Sequence, residues 1–166
     1  QQEPSIHGPR PMANDGRWTL KRGRRKKRPD GSLMMESATP AYGYKSHIGT
    51  DRRYRFIRTW VVTDAARYDG RELGGLLDKT NTASPVWADT AYRSQKNEKK
   101  IANAGLISKI HFRKPPGKPM PEAKQRANSA RSKPRSAVEH VFADQKHHMH
   151  LFIRTVGIAR AKTKIG

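Results

Sequence analysis

The sequence contains no cysteine, which excludes disulfides and thiolate zinc sites. It contains no apolar run near the roughly 20 residues a membrane-spanning helix needs. No stretch shows the wide apolar face of a membrane-surface helix either. Acidic residues are scarce, 14 Asp and Glu against 35 Lys and Arg, for a formal charge of +21 over 166 residues. A surplus of that size points to a polyanionic partner, with nucleic acid first among the candidates, and not to a membrane. No signal-peptide pattern opens the chain, so an intracellular, cytoplasmic location is expected.

Branched apolar residues are sparse over residues 1–39, where Pro, Gly and charge dominate, so a basic and mostly irregular arm is expected over 1–40. Within it, residues 17–28 hold eight Lys or Arg in twelve positions. Such a run reads as a solvated tail, as a phosphate-contacting arm, or as both. Residues 41–166 are expected to form one domain. Gln1 is no initiator and the chain stops inside a helical pattern, so a piece of a longer protein is expected.

What is present then sets the order of elements. Tyr42, Tyr44, Ser46 and Ile48 alternate with smaller or polar residues, the mark of a half-exposed strand, and 56–63 reads as its hairpin partner. A helix opening near Asp69 is expected to bury Leu73, Leu76 and Leu77, weakened by Gly74 and Gly75. Residues 85–88 form a short apolar run, the sign of a buried strand that ends at Asp89. Ser94 suits the N-cap of a helix through Ala104 with Gly105 as its stop, and 106–112 reads as a further strand. After a Pro-rich basic linker, Ser132 and Pro134 suit the start of a last long helix to about Met149. The fold class is therefore α/β, a mixed sheet flanked by helices. Trp60 and Trp87 are expected in the core, and Trp18 is free to stack on a base.

On that last helix Arg135, Glu139, Phe142 and Lys146 share a stripe, beside an apolar one of Val138, Val141, Phe142 and Met149 expected to pack on the sheet. Asp89 ends a buried strand, where a carboxylate is held rigidly at the sheet edge. If the helix crosses that edge, two carboxylates meet and offer oxygen ligands to Mg²⁺ or Mn²⁺, an ion suited to phosphodiester chemistry. The plainer alternatives stay open: an Asp after a strand caps a turn, and a Glu beside cations forms a surface ion pair. His147, His148 and His150 read as surface imidazoles at a basic helix end, and Asp64 and Asp69 as caps of a strand-to-helix turn.

Five blocks carry a resemblance. They are 42–47 (Tyr-Gly-Tyr-Lys-Ser-His) with Asp51, then 62–69 (Val-Thr-Asp-Ala-Ala-Arg-Tyr-Asp), and 87–94 (Trp-Ala-Asp-Thr-Ala-Tyr-Arg-Ser). To these add 135–142 (Arg-Ser-Ala-Val-Glu-His-Val-Phe) with Lys146, and 154–160 (Arg-Thr-Val-Gly-Ile-Ala-Arg). In that order and spacing the chain resembles the DDE transposases of bacterial insertion sequences, from about Asp15 to its end. The resemblance implies a ribonuclease-H-like catalytic domain lacking its first strand. It also implies metal-dependent nicking at the element's ends, then attack of the freed 3′ hydroxyl on target DNA.

By position Asp89 resembles the family's second acid and Glu139 its third, both as ligands of Mg²⁺ or Mn²⁺. Arg135 and Lys146 match the Arg, Glu, Lys signature, and Tyr92 matches the tyrosine after the second acid. Lys45 falls in the first block as a DNA-contacting candidate. The family's first acid is expected before Gln1, with Asp30 only a local mimic and Asp15 resembling a segment downstream of that acid. A chain with two acids is expected to bind metal poorly and not to cleave. DNA, at element ends and target, is the implied partner, with a homodimer at full length and the bacterial nucleoid as location. The alternative is a basic nucleic-acid-binding protein, or a decayed remnant, that binds DNA without catalysis.

Overall fold

Alternating residues of the first block do form a strand, and a turn at Asp51 returns the chain as its neighbour. In the computed structural model β4 covers Thr39–Thr50 and β5 covers Ile57–Asp64. The Asp51 amide donates to the Phe56 carbonyl at 2.8 Å, and the Asp51 carboxylate accepts the Tyr54 amide at 2.7 Å. The structure describes residues 15–21, 25–35, 37–78, 80, 85–151 and 155–165, with backbone alone for 21, 25–27 and 35. The basic run 17–28 and the block 154–160 therefore lie partly outside the described residues.

The stretch expected to be irregular carries three short strands. β1, Arg17–Lys21, pairs antiparallel with β4 from Arg17 opposite Gly43 to Lys21 opposite Thr39, giving a three-stranded sheet in the order β1-β4-β5. β2, Arg25–Lys27, and β3, Leu33–Met35, form a separate antiparallel hairpin. Asp30 is spent on its turn, accepting from the Ser32 amide at 2.8 Å and the Ser32 hydroxyl at 2.7 Å, while Gly31 takes φ 85°. This binds Asp30 into local structure.

The helix expected after Asp69 is short. A 3-10 turn, Asp69–Arg71, leads into α1, Leu73–Leu76, and only Leu73 of the three leucines is fully buried. Tyr68 takes the cap position of that turn, whereas Asp64 accepts the Ala66 amide at 3.0 Å, as a turn-capping aspartate should. Gly74 and Gly75 explain the brevity, since each costs about 1 kcal/mol of helix propensity.

β6, Pro85–Val86, and β7, Ile107–Ser108, run parallel, joined by α2, Gln95–Asn103, so the three make a β-α-β unit. Ser94 caps α2 through the Asn97 amide at 3.2 Å, and Gly105 ends it with φ 70°. Beyond β7 the ladder continues irregularly, with Lys109 N donating to Val86 O and His111 N to Ala88 O. The core here is Leu73, Ile101 and Ile110, with Leu77, Val86, Ala88, Tyr92 and Leu106 packed on it.

The last long helix starts ten residues before the expected Ser132. α3 covers Glu122–His147 with Pro121 at its cap position and Pro134 inside. Pro134 lacks the amide that would meet the Ala130 carbonyl. Phe112 fastens the front half, its amide donating to Asn128 Oδ1 at 2.8 Å and its carbonyl accepting from Asn128 Nδ2 at 3.0 Å. Val138, Val141 and Phe142 are half-buried, but Met149 is 72% exposed and does not pack as expected. Nor is Trp60 a core residue, at 44% exposure, and half-buried Trp87 instead lies under the Arg52 guanidinium. α4, Ile158–Ile165, closes the chain.

Contacts divide the chain into two compact units, Gln1–Lys45 with Val62–Ala66 and Ile153–Gly166, and Ser46–Val61 with Arg67–Phe152. In the first, the Asp15 carboxylate accepts the Tyr44 hydroxyl at 2.6 Å and the Ile158 amide at 2.8 Å, while the Gly157 amide donates to the Tyr44 hydroxyl oxygen at 2.8 Å. One aspartate thus caps α4 from the far end of the sequence.

Candidate active site

The β-α-β unit puts Asp89 just past the carboxyl end of β6, where side chains of a parallel pair collect for chemistry. Asp89 caps a 3-10 turn, Thr90–Tyr92, accepting the Thr90 amide at 2.6 Å and remaining exposed. Three tertiary bonds hold this turn and the neighbouring Asp69–Arg71 turn. The buried Asn97 amide donates at 2.7 Å to both Gly70 O and Tyr92 O, and the Tyr68 hydroxyl donates to Ala91 O at 2.5 Å. Arg113 adds a fourth bond, to Thr90 O at 3.3 Å. Gly70 is required there, because a Cβ would stand 2.5 Å from Ala91 O.

Tyr92 packs inward, where burial pushes its hydroxyl up to about 12, helped by Asp69, Asp89 and Glu72. It stays protonated at physiological pH. At the adjoining strand end His111 is 8% exposed, and burial holds its imidazole below the ordinary value. Arg135 adds to that effect and Asp89 opposes it, so both lie within electrostatic reach of His111. Among the described residues His111 Nε2 and Arg135 Nε are buried without a hydrogen-bond partner, leaving unused polar capacity beside the Asp89 turn.

Arg135 and Glu139 form the expected i,i+4 pair at 3.3 Å, on the stripe that begins at Arg131. Glu139 is 66% exposed on its side chain and stands in solvent, not at the border of the core. Lys146 lies exposed in the last turn, and half-buried Lys45 lies on β4 in the other unit. Among the described residues no hydrogen bond or ion pair joins Asp89 to Glu139, and no three of His, Cys, Asp and Glu gather to hold a metal ion. The donor type of these acids, hard carboxylate oxygen, fits a divalent cation such as Mg²⁺. Their number is short of a full set. Both plain roles are also realised, Asp89 as a cap and Glu139 in a surface ion pair.

Sequence reasoning overlooked Asn97, Tyr68, Arg113 and His111. Only Asn97 left a trace, since it stands one turn before buried Ile101 on an otherwise polar helix. The exposed His148 pairs with Asp144 at 3.8 Å, in keeping with a surface imidazole. Among the described residues no helix is long and apolar enough to cross a membrane.

A family model described as transposase DDE domain matches residues 18–164. No curated protein and no solved structure matches the chain.

Proposed function

Because the chain belongs to the transposase DDE domain family, we propose that it serves DNA transposition, with Asp89 and Glu139 as two of the acids that hold the catalytic cation. The observation that carries this reading is the family match itself, which spans both acids, the Arg135 and Lys146 that accompany Glu139, and Tyr92. The family implies DNA binding, and a charge of +21 suits it. The finer reading is a ribonuclease-H-like domain of an insertion-sequence transposase that acts as a homodimer on element ends and target.

In this reading Asp89 presents its carboxylate from a turn fixed by Asn97, Tyr68 and Arg113, so little order has to be created when DNA arrives. Arg135 holds Glu139 in place and gives up part of that pair to the incoming cation or phosphate. Tyr92, kept protonated, supports the turn beneath Asp89. Lys146 and Lys45 contact DNA phosphates. Asp89 and Glu139 would hold a divalent cation, which when bound would supply charge stabilisation to a phosphodiester under attack. Two acids alone hold such a cation weakly, so residues 1–166 by themselves are expected to bind DNA without cutting it.

The test is strand cleavage with Mg²⁺ by the protein expressed from its whole reading frame. Glu139→Gln is expected to lower the cleavage rate about a thousandfold while DNA affinity stays near the original. Retained cleavage rejects Glu139 as a ligand, and a frame that binds DNA but never cleaves it favours a binding-only protein.

A further inference from the structure

Phe112 follows His111 at the end of the β-α-β unit, and three cations gather on its ring. The Arg131 guanidinium lies 4.2 Å from the ring centroid, that of Arg93 4.3 Å, and the Lys124 ammonium 5.7 Å. Arg93 and Arg131 each donate through Nη1 to the same oxygen, the Ile110 carbonyl, at 2.7 Å. The two charged nitrogens are therefore separated by no more than twice that distance. Among the described residues one carboxylate answers them, Glu98, at 3.6 Å from Arg93.

Fold alone does not call for this arrangement. Ile110 is fully buried and its carbonyl needs a donor, but one neutral donor would satisfy it. Two guanidiniums add like-charge repulsion, and the Arg131 group is held below its ordinary value by burial first and by Arg93 second. An anion between them would relieve that repulsion. Each guanidinium has five donors and spends one on Ile110, so the rest can meet phosphate oxygens in the paired geometry that guanidinium favours. The backbone that carries the ring is anchored, because Asn128 holds Phe112 through both its amide and its carbonyl. Arg93 also borders a shallow depression of about 460 Å³ with Ser94, Gln95, Glu98 and Lys99, and its side chain is 28% exposed.

The cluster is placed for the proposed reaction. Arg93 follows Asp89 by four residues, and Arg131 precedes Arg135 and Glu139 by one and two helical turns on the same stripe. At about 1.5 Å per residue, Arg131 and Glu139 lie roughly 12 Å apart along α3. We propose that Arg93, Arg131 and Lys124, gathered on Phe112, grip one backbone phosphate of the DNA strand that Asp89 and Glu139 act on. This rests on the transposase reading above. The grip reads no sequence and sets where along the strand the acids fall.

The test is the affinity of the protein for a duplex of arbitrary sequence over a series of salt concentrations. The double variant Arg93→Gln/Arg131→Gln keeps a neutral donor at each position and is expected to flatten the log–log salt slope by about 0.9, the release for one phosphate. Glu98→Gln removes the opposing charge and is expected to raise affinity severalfold, while Lys124→Gln lowers it. Lys162→Gln on α4 leaves the slope unchanged. A wild-type slope in the double variant overturns the grip, as does an equal loss in Lys162→Gln. Should the double variant fail to fold, unchanged affinity in both Glu98→Gln and Lys124→Gln overturns it. If the unaltered protein shows no salt-sensitive DNA affinity, the transposase reading itself falls; if it binds and only the variants behave as wild type, the grip alone is lost.

Discussion

Asp15 and Asp89 stand in the two compact units at similar places, each at the N-terminal end of a helical segment, and their surroundings differ sharply. Asp15 is saturated: it accepts the Tyr44 hydroxyl and the Ile158 amide, and these bonds hold its carboxyl below the usual range, with Tyr44 the larger cause. Among the described residues Asp89 accepts only from its own neighbour, Thr90, through the amide and, at 3.3 Å, the hydroxyl. The bonds that restrain its turn fall on the backbone around it, from Asn97, Tyr68 and Arg113. A carboxylate engaged by distant partners serves the fold, whereas one held rigidly through its backbone is left for other chemistry.

Substitutions can break or sharpen that contrast. The largest expected effect belongs to Asp89→Asn in the protein from its whole reading frame. Asparagine caps helical turns as well as aspartate, so the melting temperature should hold while cleavage falls about a thousandfold. An equal loss of stability would make Asp89 a second Asp15. Next is Asn97→Ala, which leaves the Gly70 and Tyr92 carbonyls without their donor and should cost about 2–4 kcal/mol in denaturant unfolding. It should slow cleavage as well, although Asn97 is buried at 3% exposure. Smallest is the pH response of Asp15→Ala, read from melting curves. Because the folded carboxyl is depressed, its stabilisation is present above the ordinary carboxylate value and lost as pH falls through the lowered one. The gap between wild type and Asp15→Ala should therefore be full at neutral pH and shrink in acid, and a gap that widens in acid would contradict the saturated-carboxylate picture.

Much of the β-α-β unit and the hairpin was legible in the sequence, because local signals act there. The alternation in β4, the Ser94 cap and the Gly105 stop are decided within a few residues. β1 was not legible, since it is a strand only by virtue of its ladder with β4 and Trp18 on it remains 67% exposed. The front of α3 escaped for a different reason. Residues 122–133 carry no apolar stripe, and Pro121 gives none of the side-chain cap signal of a serine such as Ser132, whose hydroxyl instead donates back to Asn128 O. Of the site, the Arg135–Glu139 pair followed from helical spacing alone. Asn97 and His111 could not be found that way, as their roles depend on which backbone groups the fold brings against them.

Pro134 falls between the two roles proposed for α3, three residues past Arg131 and five before Glu139. Upstream, Asn128 and Arg131 fasten the helix to Phe112 and Ile110. At the proline one rung of the ladder is missing and the ring crowds the turn before it, which gives the rod its weakest joint at that point. The clamped near segment and the half-buried Val138, Val141 and Phe142 of the far segment are thus joined where the ladder is thinnest.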